Sequence, residues 1–109
     1  MSDNKGKPLN LKEEITYADG AVISKILLKK DTGNITLFSF DTGQGLSEHT
    51  SPFDAVVQVV EGEGAFIIDG AMQTVKEGEM IIMPANITHD VQAAEQPFKM
   101  LLTMIRSET

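Results

Sequence analysis

Cysteine is absent from the 109-residue chain. That removes disulfides, thiolate metal sites and cysteine nucleophiles together. A zinc ribbon and an iron–sulfur cluster are excluded on the same ground. Basic residues are scarce: nine Lys plus Arg face 16 Asp plus Glu, for a formal charge of −7. Nucleic acid and anionic membrane both need a basic surface, so neither is expected as a partner. No apolar run approaches the ~20 residues of a membrane span. Met1 to Pro8 has no apolar segment behind its lysines, so it does not resemble a secretory signal. A cytoplasmic location is the expectation. Also missing is any stretch with a sustained 3.6-residue apolar period; the only short helical signal is Leu9 to Ile15.

What is present fits one domain of ordinary composition, 41% hydrophobic and 23% charged. Residues 1–10 read as a disordered lead-in, and residues 11–109 as a single all-β domain. Short strands alternate with turn signals at the spacing of a sandwich or barrel. The expected strands are Val22 to Leu28, Ile35 to Phe40, Leu46 to Thr50, Ala55 to Val60, Ala65 to Ile68, Met72 to Lys76, Met80 to Met83, His89 to Ala93 and Phe98 to Ile105. Asp69-Gly70 is a two-residue hairpin signal, because both turn positions favour positive φ. Several strands are apolar on both faces, as in Val56-Val57, Met80-Ile81-Ile82-Met83 and Leu101-Leu102. A single wall should alternate, so a second layer must cover the outside. A homodimer through a sheet face is the preferred explanation.

Only two histidines occur, His49 and His89, and imidazole is a common ligand for transition metals and a common general base. Their surroundings carry a family resemblance. Gly43, His49 and Gly62 stand at the spacings of the first motif of the cupin superfamily, and Gly78, Pro84 and His89 at those of the second. The chain is identified as a small single-domain cupin, of the RmlC-like kind. The resemblance implies a double-stranded β-helix, or jelly-roll, barrel with a pocket at its mouth.

The usual metal set of that superfamily is three histidines and one glutamate. Ser51 stands in place of the second histidine and Ala55 in place of the glutamate, so the metal motif is degenerate. Asn86 replaces a motif glycine, and Asn also accepts left-handed backbone geometry. Strand parity sets Ala55, Val57 and Val59 inward and Asp54 and Gln58 outward. Asp54, if a bulge redirects it, is the best substitute ligand, and Glu48 the second. Ser51 is a poor ligand but a good hydrogen-bonding group for a substrate or water.

Three readings of the site follow. One is a small-molecule-binding cupin that holds a divalent ion (Zn, Ni, Fe or Mn) through His49 and His89. Another is a metal-free binding or sensing module in which Ser51, His49 and His89 orient the ligand. The weakest is metal-free acid–base catalysis by a histidine. Whether the chain is an enzyme stays open, since this fold hosts many chemistries. The methionines read as core filler or a flexible pocket lining, and Phe38, Phe53, Phe66 and Phe98 as core rather than a substrate cage.

Overall fold

The computed structural model describes residues 5–106. Nine strands follow one another among these residues: β1 (Val22–Lys30), β2 (Gly33–Phe40), β3 (Gly45–His49), β4 (Phe53–Glu61), β5 (Glu63–Ile68), β6 (Ala71–Lys76), β7 (Met80–Met83), β8 (His89–Gln92) and β9 (Phe98–Arg106). They form a five-stranded sheet, β1-β2-β9-β4-β7, and a four-stranded sheet, β3-β8-β5-β6. The fold is the all-β jelly roll expected. Part of the lead-in, residues 1–4, lies outside the described residues. No helix among them is long and apolar enough to cross a membrane.

Most strands run longer than their apolar patterns, because the ladders continue up to tight turns. Asp31-Thr32 alone links β1 to β2, so Gly33 already pairs with Lys30 and Ile105. The Asp69-Gly70 turn has φ of 51° and 83°, as its sequence requires. Asn86 sits at φ 66°, the left-handed geometry anticipated for a residue in a glycine position.

Both sheets turn an apolar face inward. Ala55, Val57 and Val59 are buried there, together with Phe40, Phe66, Met83, Val91, Phe98 and Met100. Phe98 stacks on Phe40 at 4.7 Å and meets Phe66 edge-on at 6.0 Å. Such aromatic pairs add specificity to area burial. The helical signal near Leu9 yields a single turn, with the amides of Glu13 and Glu14 both bonded to the Asn10 carbonyl.

That N-terminal segment has a use the sequence did not suggest. It crosses part of the outer face of the five-stranded sheet and buries Ile15 and Leu37. Polar contacts hold it there. The Ser39 hydroxyl donates to the Thr16 carbonyl (2.8 Å), and the Tyr17 hydroxyl donates to Glu61 (2.6 Å). Burial first, and then the Glu61 carboxylate, raises the Tyr17 pKa. The buried Lys99 ammonium donates to the Lys12 carbonyl and lies 5.0 Å from the Tyr17 ring centre.

Gly64 lies flat on the Phe98 ring, and a Cβ there would approach its Cζ to 2.5 Å. Gly64→Ala must therefore displace the aromatic block. The expected loss is about 1–3 kcal/mol, the usual range for overpacking. Thermal or urea denaturation checks it, and an unchanged midpoint would contradict the tight fit.

Candidate functional site: two histidines at one end of the barrel

Side-chain parity alone does not explain His49. Leu46 packs against the core and pairs with Val91, while His49 pairs with His89. Three steps along β3 thus oppose two along β8. A bulge between Leu46 and His49 inserts the extra residue and lets both share one face. Without it, His49 would face away from the core. The bulge is the local feature that makes the site.

The result is a direct cross-strand histidine pair. The two ring centres are 4.5 Å apart, with planes at 72°. Nδ1 of His49 lies 2.6 Å from the Ser47 carbonyl oxygen, and Nδ1 of His89 lies 3.2 Å from that of Ile87. Both contacts favour the tautomer with the proton on Nδ1, which leaves the lone pair on Nε2. Backbone carbonyls commonly orient metal-bound histidines in this way. His49 is exposed, whereas His89 is only 3% exposed. Burial lowers the His89 pKa below its ordinary 6.5, and the neighbouring His49 lowers it further.

The other sequence-derived candidates go elsewhere. Asp54 stays on the outward side of β4, where it pairs with Ile105. Its Oδ1 accepts the Ala85 amide at 2.9 Å. The only register shift in β4 comes at Val59/Glu61, too far along to redirect it. Glu48 is exposed on β3. Ser51 lies in the loop after β3. Its hydroxyl accepts the Phe53 amide (3.1 Å) and its carbonyl accepts the Asn86 amide (2.8 Å). It shapes the rim between the two histidine-bearing segments. Ala55 is 1% exposed and pairs with Met83 and Met104, so methionine side chains pack where the family would place a carboxylate. No group of three or more His, Asp or Glu side chains able to hold a metal occurs among the described residues.

Sequence reasoning assigned Phe53 to the core and passed over Arg106, and the two meet at their strand ends. Phe53 opens β4 and pairs with Arg106 at the end of β9. The guanidinium carbon lies 5.5 Å from the Phe53 ring centre, and Nε donates to the Asp31 carbonyl at 3.0 Å. Arg106 continues the inward parity of Met100, Leu102 and Met104, a signal that was available from sequence. The link 50–52 joins His49 directly to Phe53, so histidines and arginine belong to the same end of the barrel.

The family described as Cupin domain matches residues 36–104. This chain belongs to the cupin family. It is 36% identical to a conserved protein of unknown function, SPY1581, from Streptococcus pyogenes. The match covers 95% of this cupin and 90% of that chain, with a TM-score of 0.88. A cupin 2 conserved barrel domain protein from Leptotrichia buccalis is 42% identical, with the same TM-score. There the match covers 90% of this cupin but only 47% of the longer chain. A cupin superfamily protein from Desulfitobacterium hafniense is 27% identical over 94% of both chains, with a TM-score of 0.86. No curated protein matches significantly.

The geometry predicts a depressed titration for His89. In an NMR titration His89 should titrate below pH 6.5, and His49→Ala should move its midpoint upward by removing the neighbouring imidazole ring. The sign for stability follows. The unfolded chain binds a proton at His89 more readily than the folded one, so this contribution is present above pH 6.5 and declines as pH falls below it. A His89 midpoint above 6.5 would contradict the burial argument.

Proposed function

We propose that this cupin binds a small molecule at the mouth of its barrel, with His49 and His89 as the polar anchor. One observation carries the reading: the bulge in β3 pairs the chain's two histidines across strands, with Nδ1 of each against a carbonyl. That donor set suits a borderline divalent ion such as Zn, Ni, Fe or Mn. Such an ion would supply Lewis-acid polarisation of a bound carbonyl or carboxylate group. The protein's part would be to orient two imidazoles and cover one side of the ligand with apolar strand residues. Two nitrogens fall short of the three protein ligands of most catalytic zinc sites. That shortfall favours the second reading, a metal-free binding or sensing module in which the same nitrogens hydrogen-bond the ligand. A cytoplasmic location remains part of the proposal.

Elemental analysis and calorimetric titration with the four ions separate the readings. The metal reading expects one ion per chain, with affinity at least tenfold lower in His49→Ala and in His89→Ala. Protein that takes up none of the four would overturn it. The binding module would then have to stand on ligand binding that both variants lose.

The outer face of the five-stranded sheet fits a second copy. Beyond the N-terminal segment, one register row reads Ile82, Val56, Thr103, Ile35, Leu28 across all five strands. Ile82, Met80 and Ile105 are 56%, 54% and 51% exposed. The next row runs from Asp54 through Ile105 and Gly33 to Lys30, acid at one end and base at the other. A twofold axis along the strands would set the acidic end of one copy over the basic end of the other, an isologous arrangement. Light scattering at micromolar concentration should give a dimer, and Ile82→Glu a monomer. A monomeric wild-type protein would remove this part of the proposal.

A further inference from the structure

We infer that the ligand of this cup is a small anion on an apolar body, and that Arg106 sets the preference. The inference rests on the ligand-binding reading above and adds the charge of the ligand to it.

The first observation is where the acids are not. The chain carries 16 Asp plus Glu, yet no registered position on the core-facing side of any strand is one of them. Asp54 and Asp90 lie on strands but on the opposite face from Ala55 and His89. Glu61 is turned away by the shift after Val59, which sets it opposite Lys99. An ammonium or guanidinium ligand would therefore enter the barrel without a counter-charge, against two imidazoles and an apolar wall. Burying an unpaired charge is costly.

The second observation is a held cation at the same end. Arg106 lies over the Phe53 ring and anchors Nε on the Asp31 carbonyl. These contacts fix the guanidinium plane through Nε, and a guanidinium so held can turn its two terminal nitrogens to an oxyanion in a fork-like contact. Lys29 adds a second positive charge on the inward row that continues through Asn34, Met104, Ala55 and Met83. The rest of that row is apolar apart from Asn34; Ala55 and Met83 are closed into the core, so half-buried Met104 is the part of the row that a hydrocarbon body behind the charged group would meet. The surface carboxylates act through water, where fields fade over ~8 Å at physiological salt. The local cations then decide the sign.

The test uses three probes of matched shape: butyrate, butyramide and butylamine, titrated at pH 7.5 into protein labelled at its methionine methyls. Butyrate should shift the Met83 and Met104 methyls at concentrations at least tenfold lower than butyramide, with butylamine weakest. Arg106→Gln should remove the butyrate advantage, whereas Arg106→Lys, which keeps the charge but not the fork, should retain part of it. Melting curves of both variants separate lost binding from lost fold, and the lysine variant keeps the test usable if the glutamine variant unfolds. Equal titration by butyrate and butyramide, or an undiminished advantage in folded Arg106→Gln, would overturn the anion inference while the methyl shifts still upheld the cup. If none of the probes moves either methyl, the cup reading falls with it.

Discussion

Phe98 joins the two sheets, and the site at the far end depends on that junction. Its ring stacks on Phe40 from the neighbouring strand of its own sheet and meets Phe66 from the other sheet. Gly64 supplies the flat backbone against which the ring lies. With this end filled by rigid aromatics, β9, β4 and β5 cannot slide relative to one another. Their other ends therefore present Arg106, Phe53 and Ile68 in a fixed arrangement. Ile68 in turn pairs with His89, so the aromatic block reaches the histidine pair through a single strand.

Within that frame the bulge in β3 determines whether the two histidines pair at all. Cross-strand register is strict wherever one face is buried, because a one-residue slip exchanges the two faces. Leu46 holds the core side of β3, and three residues later His49 must also be on it. Only an inserted residue reconciles the two. The carbonyls of Ser47 and Ile87 then fix the imidazole orientations. Glu48, exposed beside His49, is left outside the pair.

Much of this was legible in the residues. Asp69-Gly70 marked its turn and Asn86 its left-handed geometry, since few other residues tolerate those φ values. The alternation from Ala55 to Val59 gave the inward face of β4 directly. The bulge was not legible, because nothing in Ser47-Glu48 distinguishes an inserted residue from a paired one. The N-terminal segment was also missed. Double-sided apolarity on β4, β7 and β9 pointed to a partner as the preferred cover, whereas Ile15 and the Lys99–Lys12 and Tyr17–Glu61 contacts cover part of that sheet face within the chain. Long-range polar contacts of this kind have no periodicity to betray them. Arg106 was overlooked for the opposite reason. Its parity was visible, but a charged residue at a strand end ordinarily reads as solvated surface.

The loss of the family's carboxylate at Ala55 is matched by its neighbours. Ala55 is buried between Met83 and Met104, its register partners on either side. A glutamate there would lie against two thioethers, and its charge would need a metal or a cation to offset burial. Methionine is flexible enough to fill the volume that a smaller residue leaves. The small residue at 55 and the methionines beside it therefore form one packing solution. The same exchange removes negative charge from the interior and leaves Arg106 and Lys29 on inward rows that register no acid. On the anion reading, a barrel with no carboxylate among its described inward positions is completed by a ligand that brings one.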